Sequence, residues 1–218
     1  MTAPKTKKQL AQRRSMGNRV KALIIGGCTA ALMVGGSLAF FTDMDQVQND
    51  FTIADSLKIQ VVEPNWNPQN AQGLAPLATV AKDPAVKNVS GVPAWMVAQV
   101  KVPVATVMVV NDQGARVEKT NAELFTYTLN TDGWTELGQP DVDGGFATHT
   151  YLAKNSVAVG GSTPNLFDQV QLINLVEGQL KGDALNQQID VVGYGIQTEG
   201  FDSASAAWTA YQKQNAVA

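Results

Sequence analysis

The residues able to do chemistry are few, and their spacing excludes more than it suggests. His149 is the sole histidine. It lies in the alternating stretch Phe146–Tyr151, where a hydrogen-bonded or exposed strand position is the expectation. One histidine cannot supply a His-x-x-x-His zinc pair, and no His-Glu-x-x-His occurs. A Ser-His-Asp triad through His149 is arithmetically open, but no Gly-x-Ser-x-Gly elbow accompanies it. Asp43 with Asp45 and Asp141 with Asp143 are paired acids of the kind that ligate calcium in loops. Neither pair has the EF-hand spacing or its distal glutamate, so solvated turn acids are expected. Gly160-Gly161 lacks the downstream lysine of a phosphate loop. The sequence therefore assigns no catalytic residue, no metal ligand and no cofactor.

The elements that would position such residues follow a period of two. In Leu57-Lys58-Ile59-Gln60-Val61 the apolar side chains share one face, which predicts a half-buried strand ended by Pro64. Ala81–Asn88, with its proline and lysines, reads as an edge strand. Between Pro93 and Pro103, Met96, Ala98, Val100 and Val102 face one way, and Val97, Gln99 and Lys101 the other. Thr106–Val110 and Ala115–Lys119 flank Asn111-Asp112-Gln113-Gly114, a hairpin loop. Strands are further expected at 124–129, 134–137, 146–153, 167–175 and 189–197, with turns at 141–145 and 160–164. Gly193 and Gly195 inside the last strand predict a bulge or a close backbone approach. One helix is expected near the end, capped by Asp202 or Ser203, with Ala204, Ala207, Trp208 and Tyr211 on one face. The pattern predicts an all-β, jelly-roll-like β-sandwich over 51–218 with one short C-terminal helix.

Ahead of it stands a segment of opposite character. Residues 1–39 carry seven basic groups and no acid, whereas the remainder carries nine basic and nineteen acidic groups, a net of −10. So acidic a body repels phosphate backbones, and nucleic-acid binding is not expected. Twenty uncharged residues, Ala22–Phe41, follow the basic cluster. The order is that of a signal peptide helix: n-region 1–21, h-region 22–36, then the small-x-small site Ser37-Leu38-Ala39, with Phe40 as the new N-terminus. A retained membrane anchor is the alternative, weakened by Gly26, Gly27, Gly35 and Gly36. Membrane contact is otherwise expected only through the uncleaved signal. Ile25-Gly26-Gly27-Cys28 has the look of a lipobox, and Arg13-Arg14 that of a twin-arginine signal, though Gly17 stands where an apolar residue belongs. Cys28 is the only cysteine, so the body has no disulfide and must be held by its core.

Four stretches together resemble the camelysin and TasA family of secreted proteins. Gly35-Gly36-Ser37-Leu38-Ala39-Phe40-Phe41-Thr42-Asp43 resembles its cleavage region. Asn49-Asp50-Phe51-Thr52-Ile53-Ala54 with Leu57-Lys58-Ile59 is similar to its first strand, with Ala54 in place of the usual glycine. Lys82-Asp83-Pro84-Ala85-Val86-Lys87-Asn88 with Pro93-Ala94-Trp95-Met96-Val97 resembles its central stretch. Val191–Phe201 with Ala207-Trp208 resembles its C-terminal strand and helix.

The resemblance implies a jelly roll, a SipW-type signal peptidase as processing partner, and a place on the cell surface or in a biofilm matrix. It further implies self-association into fibres, in which the freed N-terminal segment adds as a strand to the next subunit. Residues 40–50 are the candidate donor strand, with Phe40, Phe41, Val47, Phe51 and Ile53 as apolar anchors on a segment extending into the domain's start. The other reading makes Asp50–Val62 the domain's own first strand and Phe40–Gln48 a tail. Camelysin's association with metal-dependent proteolysis supplies a rival function. A surface adhesin using Trp66, Trp95 and Trp134, with matrix components as partners, supplies another.

Overall fold

A computed structural model describes Thr42–Asp45 and residues 57–216. Internal contacts divide the chain between Ala39 and Phe40, and every described residue belongs to the second unit. Among them are twelve strands: β1 (Thr42–Asp45), β2 (Ile59–Val62), β3 (Thr79–Ala81), β4 (Ala85–Asn88), β5 (Ala94–Val110) and β6 (Arg116–Glu123) come first. β7 (Phe125–Thr126), β8 (Trp134–Glu136), β9 (Asp141–Asp143), β10 (Phe146–Ala153), β11 (Gln169–Leu172) and β12 (Asp190–Gln197) follow, and one helix, α1 (Ala204–Asn215), ends the fold. The large sheet runs β1-β12-β5-β10-β8, with β6 on β5 and β9 on β10. Two small sheets, β3-β11-β7 and β2-β4, supply the opposing layer. The result is an all-β sandwich, as the alternating sequence predicts.

The core follows directly from that alternation. Met96, Ala98, Val100 and Val102 are fully buried on the inner face of β5, against Leu57, Ile59, Val86, Leu124 and Phe167 of the opposing layer. The outer face of the same sheet carries a second, smaller core. There Val97, Tyr194 and Ile196 pack against Ala204, Ala207 and Trp208 of α1. Ser203 caps the helix, its hydroxyl accepting from the Ala206 N–H at 3.2 Å and satisfying a donor the helix cannot use internally.

Several local expectations are corrected. Pro103 does not end a strand; β5 runs through it for 17 residues. The missing N–H costs one ladder position, the Pro103 carbonyl accepts from Leu124 N, and a register shift between Ala105 and Val107 absorbs the irregularity. Ala81–Asn88 is not an exposed edge. It bends at Pro84 into β3 and β4, and β4 is bonded on both sides, to β2 and to residues 160–163. Asp141–Asp143 is a short strand paired with β10, and the turn begins only at Gly144. The strand expected at 124–129 shrinks to Phe125–Thr126, and that at 167–175 to Gln169–Leu172.

Candidate functional site

The element with the most specific surroundings is β12, which is approached from four directions. One edge pairs antiparallel with β5, Asp190 opposite Lys101 through Gln197 opposite Ala94. The other edge receives β1, Thr42 opposite Ile196, Asp43 opposite Gly195, Met44 opposite Tyr194 and Asp45 opposite Gly193. Its inner face carries the two glycines. A Cβ at Gly195 would lie 2.4 Å from Leu57 Cδ2 and 2.6 Å from Ile59 Cγ2. One at Gly193 would lie 3.1 Å from both Ile59 Cδ1 and Val61 Cγ2. The glycines thus let β2 press against the strand's backbone: of the bulge and the close approach expected there, the close approach is found, and the pairing with β5 keeps its register throughout.

The outer face of β12 carries Tyr194, whose hydroxyl donates to Gln99 Oε1 at 2.8 Å. Its ring meets Trp208 edge-on, while Trp208 stacks on Tyr211 at 5.0 Å. Burial, and secondarily the neighbouring Tyr211, pushes the Tyr194 phenol up to about 12.

A second cluster surrounds His149. The ring nitrogens face carboxylates on either side: Nδ1 lies 2.7 Å from Glu136 Oε1, and Nε2 lies 2.9 Å from Glu123 Oε2. Both contacts are hydrogen bonds at once only when the ring carries both protons. The imidazole stacks on Tyr151, whose hydroxyl shares a 2.7 Å hydrogen bond with that of Tyr127, and Tyr127 stacks on the buried Phe167. The chain of groups grades from apolar core to charged rim. Burial above all, then the neighbouring Tyr151, holds the Tyr127 phenol well above its ordinary range. Burial does the same to Tyr151, partly offset by its hydrogen bond with Tyr127. Neutral phenols stacked beside a ring clasped by two acids tie β6, β8 and β10 together. With both nitrogens engaged by glutamates, the ring faces no serine. Nor do the two carboxylates converge, and among the described residues no three of His, Cys, Asp or Glu are placed to share an ion.

Sequence reasoning missed Glu123 and Glu136, because their meeting depends on the register of three strands. It also missed the role of Lys82 and Asp83, both buried. Lys82 Nζ donates to Glu63 Oε1 at 2.7 Å, and Asp83 accepts from the Asn65 N–H and side-chain amide at 3.0 and 2.9 Å. The pair clamps the turn after β2 to the corner between β3 and β4. Asn88, also fully buried, donates to the carbonyls of Val92 and Val157 and accepts from Ser90 twice. Every polar atom of that amide is satisfied, as burial requires.

Of the three tryptophans singled out, Trp134 is buried and its Nε1 donates to the Pro164 carbonyl. Trp95 is half-buried, donating to the Phe201 carbonyl, and only Trp66 is exposed. Asp141 and Asp143 are exposed on β9. Ser37, Ala39, Phe40, Phe41, Val47, Phe51, Ile53 and Cys28 lie outside the described residues. No helix among the described residues is long and apolar enough to cross a membrane. No family model, curated protein or solved structure matches the chain.

Proposed function

We propose that this chain is an exported structural subunit of the cell surface or biofilm matrix, assembling into fibres by donating its N-terminal strand to a neighbour. One observation supports the reading above the rest: β1 begins three residues past the small-x-small site and pairs along the outer edge of β12. That edge is the acceptor. A β-strand edge offers the same N–H and C=O groups to any chain of suitable register. The four positions that pair within one chain therefore pair equally with the same residues of a second copy. The intramolecular pairing is the self-closed monomer, and exchange between copies opens it. Because donor and acceptor are different surfaces, each addition leaves a new acceptor exposed, and the contact propagates as a filament rather than closing. A SipW-type peptidase cutting after Ala39 frees the strand to move.

The test compares chains beginning at Phe40 and at Asn49 by electron microscopy. The first should form filaments and the second, lacking β1, should remain dispersed. Equal fibre formation by both would remove strand donation from consideration. N-terminal sequencing of the exported protein checks the earlier step, with Phe40 as the expected first residue.

A further inference from the structure

We propose that the groove beside Trp66 binds a neutral oligosaccharide, at a site separate from the β12 edge and independent of whether the chain polymerises. Two adjoining hollows of about 380 and 600 Å³ share Leu74, Phe125, Leu185 and Asn186, so they form one trough. Its two banks carry short 3-10 turns, Pro68–Ala71 and Gly182–Leu185. The Asn67 side chain fixes the first turn by accepting from Gln69 N at 3.0 Å. The floor is the edge of the core itself: Val80, Val170 and Phe125.

The lining has the chemistry of a ligand that is uncharged, rich in hydroxyls and apolar on its C–H faces. Among the described lining residues of the first hollow Lys82 is the only charged one, and Glu63 already holds it at 2.7 Å. Among those of the second, Glu177 stands alone. An ionic ligand would meet no free countercharge among the described residues of the first hollow. The polar arms are instead the carboxamides of Gln72, Asn186 and Gln188, all exposed. Each offers donors and an acceptor together, which suits a hydroxyl that is both at once. Trp66 adds an indole, 37% exposed, with Lys82 Nζ 4.8 Å from the ring centre to hold it in place. Leu185, 66% exposed, is an apolar side chain left in water on the opposite bank. Aliphatic floor, aromatic wall and amide arms match the alternating C–H and O–H surface of a sugar chain.

Titration of the purified chain with neutral glucans, galactans and chito-oligosaccharides, read by tryptophan fluorescence and calorimetry, tests this. Sulfated and uronic-acid oligosaccharides serve as anionic comparisons. At least one neutral series should bind saturably and shift the emission. Trp66→Ala should weaken it about tenfold or more. Because Trp66 covers Lys82, a second variant, Asn186→Ala with Gln188→Ala, removes only exposed amides. It should weaken binding several-fold while leaving the melting temperature unchanged. Absence of binding by every neutral series, preference for the anionic ones, or full affinity in both variants would overturn the proposal.

Discussion

The two faces of β12 bury side chains by opposite means. On the inner face, Gly193 and Gly195 offer nothing, and Leu57, Ile59 and Val61 of the opposing layer come down to the backbone. On the outer face, Tyr194 and Ile196 reach out to an aromatic cluster built with α1. The first is a fit by exclusion, in which the receiving strand must stay empty. The second is a fit by bulk, and it is imperfect: Trp208 is 3% exposed, and its buried Nε1 has no hydrogen-bond partner among the described residues. A close-packed interior tolerates lost volume poorly, but tolerates an added atom no better where there is no room for it. The faces should therefore respond to different substitutions.

The largest effect belongs to the aromatic face. Trp208→Ala should cost about 3–5 kcal/mol of unfolding free energy, measured by denaturant titration, because a large buried ring leaves a cavity between α1 and the sheet. Trp208→Phe sharpens the point. It keeps most of the ring and deletes an N–H whose burial unpaired costs about 1–3 kcal/mol. Its net cost should stay below about 1.5 kcal/mol. If Phe is as damaging as Ala, the indole nitrogen is satisfied in solution and the contrast between the faces weakens.

The glycine face should rank its two positions by distance. Gly195→Ala places a methyl 2.4 Å from Leu57 Cδ2 and 2.6 Å from Ile59 Cγ2, so β2 must shift. A loss of about 1–3 kcal/mol follows. Gly193→Ala meets its neighbours at 3.1 Å, a few tenths of an ångström too close. There the strain opposes the roughly 0.5–1 kcal/mol that a strand interior gains from losing glycine's freedom, and the net should be near zero. Equal losses at both positions would mean that the close approach does not set the requirement. Because Gly193 and Gly195 also stand opposite β1, fibre yield in the two variants separates damage to the core from damage to the edge. Gly193→Ala should still assemble.

How much of this was legible beforehand depends on whether the controlling contact is local. The burial of Met96, Ala98, Val100 and Val102 is written in their alternation, and the capping of α1 by Ser203 in its position before an apolar-spaced run. The two glycines announced a bulge or a close approach, though not which of the two, nor which strand would make it. Lys82 and Asp83 misled, because a charged pair beside a proline reads as a solvated edge, whereas here each is buried and finds a partner about twenty residues earlier. His149 was visible as the sole imidazole, but Glu123 and Glu136 reach it only through the pairing of β10 with β5 and β8 and of β5 with β6. The groove beside Trp66 was invisible for the same reason. Its banks are more than a hundred residues apart in the chain, and neither has a periodic signature.

A milder probe of the outer face uses pH alone. The Tyr194 phenol is held at about 12 by burial and the adjacent Tyr211, against an ordinary value of 10.0. In alkali the unfolded chain ionises first, so the contribution of this tyrosine to stability is complete below pH 10 and is lost as the pH rises to about 12. Tyr127 and Tyr151, raised for the same reason, act in the same direction, so the wild-type melting temperature should fall steadily across that interval. Tyr194→Phe starts lower at neutral pH, by about 1 kcal/mol, since Gln99 Oε1 loses its donor. Its decline between pH 10 and 12 should nevertheless be shallower, because one of the titrating groups is gone. Parallel curves for the two proteins would place the alkaline sensitivity outside Tyr194, in Tyr127, Tyr151 and Tyr211, whose phenols burial also raises. Tyr194 would then hold the outer face of β12 by ring packing and its hydrogen bond to Gln99, with no share in the alkaline decline.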